Sequence, residues 1–148
     1  MKYSQASLGR VFVVRLEDGD IVHECLERLA REQGIRAAGL IALGDADAGS
    51  RLIAGTEAGR ADPLVFVERV LDEAHEIAGV GTIFPDEEGN LISHIHLACG
   101  RQDSLVVGCA RTGVKVWHVM EVIVVELLDC RAVRRFESGL PGFKLLNP

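Results

Sequence analysis

Val116-Trp117-His118-Val119-Met120-Glu121-Val122-Ile123-Val124-Val125-Glu126-Leu127-Leu128 is a long, apolar, β-branched stretch that reads as one strand. Its middle, Val122 to Val125, is apolar at successive positions instead of every second one, which predicts burial on both faces and a central place in a sheet. What could cover that sheet is limited. Between Ile21 and Gln33, apolar Ile21, Val22, Cys25, Leu26, Leu29 and Ala30 recur at helical spacing, with Glu24, Glu27, Arg28, Arg31 and Glu32 opposite. Asp20 is the candidate N-cap and Gly34 the candidate stop. One such helix covers part of a large sheet. The sheet therefore either curls on itself or meets a neighbouring subunit, and the second option points to an oligomer.

Other strand patterns surround this pair. Residues 10–16, 51–54, 64–70, 74–84, 91–99 and 105–111 read as strands, and 37–43 is small and apolar. The segments 55–63, 85–90, 100–104 and 112–113 read as loops or turns, and the tail 138–148 as irregular. Many strands with short Gly-rich turns around one early helix make an α+β domain with a mostly antiparallel sheet. At 148 residues, a single domain with a substantial core is expected.

Hydrophobic residues make up 48% of the chain and charged residues 26%, an ordinary globular balance. No apolar run approaches the roughly 20 residues of a membrane span. Residues 1–10 lack an apolar secretion core, so a cytoplasmic location is the expectation. The formal net charge of −6 disfavours nucleic-acid binding, which needs clustered Lys and Arg. Arg131, Arg134 and Arg135 form the one local cluster, enough for weak, salt-sensitive association at most. Cys25, Cys99, Cys109 and Cys130 contain no Cys-x-x-Cys pair and read as thiols in a reducing compartment, Cys25 within the helix core.

The chemistry concentrates in Ser93-His94-Ile95-His96-Leu97-Ala98-Cys99-Gly100, followed by Gly108-Cys109 and Trp117-His118. Residues i and i+2 of a strand leave the same face, so His94 and His96 project into one space. Two histidines can simply share a solvated face; His118 and Cys109 nearby favour a metal site instead, with His118 or Cys109 as third ligand. Three protein ligands and an open fourth position suit a catalytic or small-ligand centre. His75-Glu76 reads first as a surface pair, and Asp45 and Asp47 as turn residues. Glu121, among apolar neighbours, reads as a buried carboxylate needing a partner. Cys109 with His118, or Cys99 with His94, are conceivable nucleophilic pairs. His23 receives no role.

The order of these elements resembles a known family. Gly9-Arg10-Val11-Phe12 with Leu16, the helix end Glu32-Gln33-Gly34-Ile35-Arg36-Ala37-Ala38, Ala42-Leu43-Gly44-Asp45-Ala46, His94-Ile95-His96-Leu97, Val107-Gly108 and Glu121-Val122-Ile123 together resemble the plants-and-prokaryotes conserved (PPC) domain, also called the domain of unknown function 296, over about residues 9–130. The resemblance implies a strongly bent, mostly antiparallel sheet, a homotrimer and, in prokaryotic members, a metal such as zinc at the His-x-His strand. Plant members carry an Arg-Gly-Arg-Pro AT-hook that this sequence lacks. Many members have Gly-Gly-His-Leu where this chain has Gly108-Cys109-Ala110-Arg111, so the third family histidine is replaced, by Ala110 or Cys109 depending on how the preceding loop is aligned. Trp117-His118 is a possible substitute from an adjoining strand.

These readings converge on a zinc-like metal-binding trimeric module with His94, His96, His118 and Cys109 as candidate ligands. The alternatives are a metal-assisted enzyme acting on a small molecule, with Glu76 or Glu121 as base, and a DNA-associated regulator by analogy with plant relatives.

Overall fold

The computed structural model describes residues 1–59, 63–137 and 142–148. Strand β1 (Ser7–Glu17) leads into helix α1 (Val22–Glu32), then β2 (Ala38–Ala46), β3 (Arg51–Thr56), β4 (Phe66–Val70), β5 (His75–Pro85), β6 (Leu91–Arg101), β7 (Ser104–Cys109), β8 (Val116–Leu128), β9 (Val133–Phe136) and β10 (Lys144–Asn147). Eight strands form one sheet in the order β1-β8-β2-β5-β6-β7-β3-β4, and their registered neighbours are antiparallel. β9 and β10 form a separate antiparallel ribbon. No described helix is long and apolar enough to cross a membrane.

β8 is central, as its composition predicts, between β1 and β2. Cross-strand partners share a face, so the registers divide the sheet into two sides. Phe12, Val124, Leu40, Gly81 and Ile95 lie on one side, with Val14, Val122, Ala42, Gly79 and Leu97 beside them. Helix α1 contributes Val22, Cys25, Leu26 and Ala30 to the same core. Gly81 permits the layering: a Cβ there would stand 2.8 Å from Leu40 Cδ1 and 2.9 Å from Ile95 Cγ1.

The other side departs from the expectation of burial on both faces. Val122 and Val124 are buried, but Ile123 is 37% exposed, and Val13, Ile41 and Val80 on the same side are exposed too. The helix covers one face of the sheet only. Glu121 also faces outward and is exposed. The buried carboxylate of β8 is Glu126, gripped by Arg10 through Nε (2.7 Å) and Nη2 (2.9 Å). The same Arg10 Nη2 donates to the carbonyl of Gln33, tying β1 and β8 to the helix end.

Local corrections follow from hydrogen bonding. Asp20 does not cap α1; its carboxylate accepts from Glu17 N–H and closes the preceding turn, leaving Ile21 as N-cap. Gly34 does end the helix, at φ +66°, with its N–H on Arg31 O and that of Ile35 on Ala30 O. β7 stops at Cys109, and Ala110–Thr112 form a 3₁₀ turn, not strand. Lys144–Asn147, read as irregular tail, pair with β9, while 138–141 lie outside the described residues. The ribbon lies over one end of the otherwise open face, where Phe84 packs with Ala37 and Ala132.

Candidate metal centre

β6 alternates cleanly: Ser93, Ile95, Leu97 and Cys99 are buried on the helix side, and His94 and His96 stand on the open side. Their Nε2 atoms are 3.0 Å apart, with rings nearly perpendicular at 80°. The next strand brings the third donor. His96 is registered directly against Cys109, so the thiol emerges on the histidine face. One ring nitrogen from each of His94 and His96 and the Sγ of Cys109 all lie within 4.8 Å of one another.

Gly108 makes this placement possible. A Cβ there would stand 2.7 Å from Ile53 O and 2.9 Å from Leu52 Cβ, so only glycine lets β7 close against β3 in the Ile53–Cys109 register. Cys109 is consequently buried at 3% exposure, whereas both histidines are exposed.

The electrostatics suit a metal. Burial, the largest single influence on Cys109, opposes ionisation, but hydrogen bonding from His94 and from Arg111, whose Nε donates to Sγ at 3.2 Å, outweighs it and brings the thiol down to about 6. Burial, then repulsion by His94 and Arg111, lowers His96 below the usual histidine value and favours the neutral imidazole that a metal requires. A tetrahedral zinc-like ion with nitrogen ligands at about 2.0–2.1 Å and sulfur at about 2.3 Å needs donors roughly 3.3–3.6 Å apart, a value between the 3.0 Å of the two imidazoles and the 4.8 Å that bounds the three donors. Two imidazoles and a thiolate are a borderline-soft set, appropriate to zinc-like ions and not to calcium or magnesium.

The structure separates the fourth candidate from this cluster. His118 is on β8, which adjoins β1 and β2 and not the β6–β7 pair. Three strand spacings, roughly 14 Å, lie between β8 and β6. His118 also has φ +59°, held by its N–H on Asp18 Oδ1, and its ring packs on Trp117. Nor does Cys99 pair with His94, because the two leave opposite faces; burial pushes the Cys99 thiol up to about 11. The thiol–imidazole association is Cys109 with His94.

The remaining candidates take structural positions. His75 is buried, not part of a surface pair, and its Nδ1–H donates to Glu73 O at 2.8 Å. Asp47 caps its turn at Ala48 N–H and pairs with Lys115 at 2.6 Å, as the turn reading predicts. The Arg131, Arg134 and Arg135 cluster does not form a surface patch: Arg134 is 7% exposed and donates to Thr82 Oγ1 on the open face beside β6. Sequence reading missed Arg134 and Arg111 as neighbours of the site, since it took Arg134 for part of a surface cluster and gave Arg111 no role. The one available signal was Arg111 two positions beyond Cys109.

Residues 3–128 match the Plants and Prokaryotes Conserved domain. The chain belongs to that family. No curated protein matches it in sequence. Among solved structures, it is similar to a plant- and prokaryote-conserved protein from Pyrococcus horikoshii, with 19% identity, TM-score 0.85, and 100% of this chain and 98% of that one covered. It is also similar to a metal-containing protein from Archaeoglobus fulgidus, with 24% identity, TM-score 0.84 and 98% of each chain covered. A Ralstonia eutropha protein with a provisional DNA-binding name shares 22% identity at TM-score 0.72, over 92% of this chain and 90% of that one. Likeness at these identities establishes the family's mostly antiparallel sheet with its single described helix.

Proposed function

We propose that this member of the family is a metal-binding module that holds a zinc-like ion with His94, His96 and Cys109, and that it works as a homotrimer. The observation that carries the metal reading is the convergence of three donor atoms from two strands within 4.8 Å, one of them a buried thiol shifted toward thiolate. The metal-containing Archaeoglobus structure of the same fold supports it. Cys109 lies in the segment Gly108-Cys109-Ala110-Arg111 that corresponds to the Gly-Gly-His-Leu of many members, so the thiol offers a metal-binding side chain where the family histidine is lost. The support for self-association is the open face, where Val11, Val13, Ile41, Leu43, Val80 and Ile123 leave apolar surface of a kind that monomers seldom present. A closed ring of copies would bury it without inviting fibres.

An ion held by three protein ligands supplies an open Lewis-acid position for a small ligand. The chain's own contribution is to hold both imidazoles on one strand, keep the thiol ionised and place Arg111 beside the sulfur. The DNA-associated reading draws on a structural neighbour's provisional name; the net charge of −6 and the burial of Arg134 do not favour it.

Metal analysis of untagged protein after zinc supplementation tests the reading. About one ion per chain is expected, falling to near zero in the His94→Ala, His96→Ala double variant. With cobalt, a sulfur-to-metal charge-transfer band that disappears in Cys109→Ser is expected. No bound metal in the unaltered chain refutes the site; a bound cobalt spectrum unchanged by Cys109→Ser refutes the thiolate ligand.

A further inference from the structure

A cavity of about 490 Å³ opens between β6 and the β9–β10 ribbon, beside the histidine pair. Its walls are largely apolar, with Ile92, Phe136, Phe143 and Leu145 among them. Arg134 also lines it. This guanidinium is 7% exposed, yet among the described residues no carboxylate pairs with it and its Nε has no hydrogen-bond partner. Thr82 Oγ1 accepts from Nη2 at 2.9 Å, and the Phe84 ring lies 5.8 Å away. Buried charges are ordinarily paired, since desolvating an unpaired ion is costly.

The acidic turn nearby does not supply the missing partner. Asp86 and Glu88 take Lys144 at 2.9 and 3.4 Å, and Glu87 faces Arg135 at 4.0 Å. Lys144, which also lines the cavity, is thereby neutralised. Arg111 lines the cavity and adds a second guanidinium, and its Nε is already on the Cys109 sulfur. The cavity therefore has an apolar body with one buried cation in its wall that no carboxylate of the described residues pairs; the Cys109 sulfur favours its charge from a distance, and Arg111 opposes it.

We propose that this cavity binds a small organic monocarboxylate, with its carboxylate on Arg134 and its apolar body against Phe136, Phe143, Ile92 and Leu145. A guanidinium is a planar fork that matches a carboxylate through two parallel hydrogen bonds. A single buried cation matches a single negative charge, and apolar walls favour a ligand with a hydrocarbon part over an inorganic anion. His94 lines both this cavity and the metal cluster, so a ligand here lies next to the metal centre. The anion site stands on Arg134 and the cavity walls alone and requires no metal.

The test uses the full chain freed of metal with EDTA, so that its outcome is separate from that of the metal reading. Benzoate is the probe, benzamide its neutral isostere, and inorganic phosphate the anion without an apolar body. Binding is read by ligand-observed NMR and by the rise in unfolding temperature. Benzoate is expected to bind at least about tenfold more tightly than either comparator, and Arg134→Gln to weaken it by about tenfold or more. Equal binding of benzoate and benzamide overturns the proposal, as does tighter binding of phosphate than of benzoate. Should Arg134→Gln fail to fold, Thr82→Val keeps the charge but frees the guanidinium; a several-fold loss of benzoate affinity is expected there, and no loss overturns the positioning on Arg134.

Discussion

The two faces of the sheet are built from the same strands and obey different rules. On the face under α1, Leu97 is fully buried and Ile95 nearly so. On the opposite face of the same strand, His94 and His96 are exposed. Two cysteines draw the contrast most sharply. Cys99 sits in the core on the helix side of the sheet, and burial drives its thiol up to about 11. Cys109 is about as deeply buried on the other face, but His94 and Arg111 overcome that burial and bring it to about 6. Burial alone does not decide a thiol's chemistry. What else reaches the sulfur does, and that depends on which side of the strand the residue leaves.

The comparison can be broken most forcefully on the covered face. Leu97→Ala removes a fully buried side chain that stands over Gly79 of β5 on the helix side of the sheet, and a loss of about 2–5 kcal/mol is expected by urea unfolding. A loss below about 1 kcal/mol would mean that the helix side is not the core that sustains the fold. On the open face the expectation reverses. Val80→Glu, at a position 62% exposed, should change the unfolding of the isolated chain by no more than about 0.5 kcal/mol. It should nevertheless lower the mass seen by light scattering from about three chains toward the 16.0 kDa of one. An unaltered mass would show that the exposed apolar residues are not a subunit contact.

The smallest effect expected concerns the charge admitted at the rim of the covered face. Hydrogen bonds from the side chain and backbone of Arg10 hold the Glu126 carboxyl down to about 2 against its burial, below the ordinary carboxylate value of 4.5. The stability from this pair is therefore fully present above about pH 4.5 and is lost as pH falls toward about 2. Arg10→Ala should flatten that part of the stability profile and leave the neutral-pH sheet intact. Unfolding midpoints between about pH 2 and 5 check this, and identical acid limbs in both proteins would contradict it.

Much of this was legible in the residues because it depends on local periodicity. The apolar spacing from Ile21 to Gln33 marks the helix, β-branched runs mark most strands, and His-x-His within one strand compels two imidazoles onto one face. Apolar succession at Val122–Val125 misled, because hydrophobicity reports a preference for burial and not which partner provides it. Ile123 is apolar, yet α1 reaches only the other side of β8. The β10 strand was hidden for a related reason: Lys144–Asn147 is too short to show a period and is defined by its pairing with β9.

The sequence alone determined the strand bearing His94 and His96, their shared face, the single helix and the family. Only the tertiary structure showed which of the other candidates lies beside the histidine pair, and which cation is its neighbour. Cys109 and His118 are both near the histidine pair in the chain, but distance along a chain says little about distance across a sheet. The antiparallel β6–β7 register sets Cys109 opposite His96, and the order β8-β2-β5-β6 puts two strands between His118 and that pair. Arg134 reads as one of several surface arginines until the β9–β10 ribbon folds over the open face and removes it from water. Local pattern specifies which side of a strand a residue occupies; long-range pairing specifies what it meets there, because hydrogen-bond register, not sequence proximity, brings side chains together.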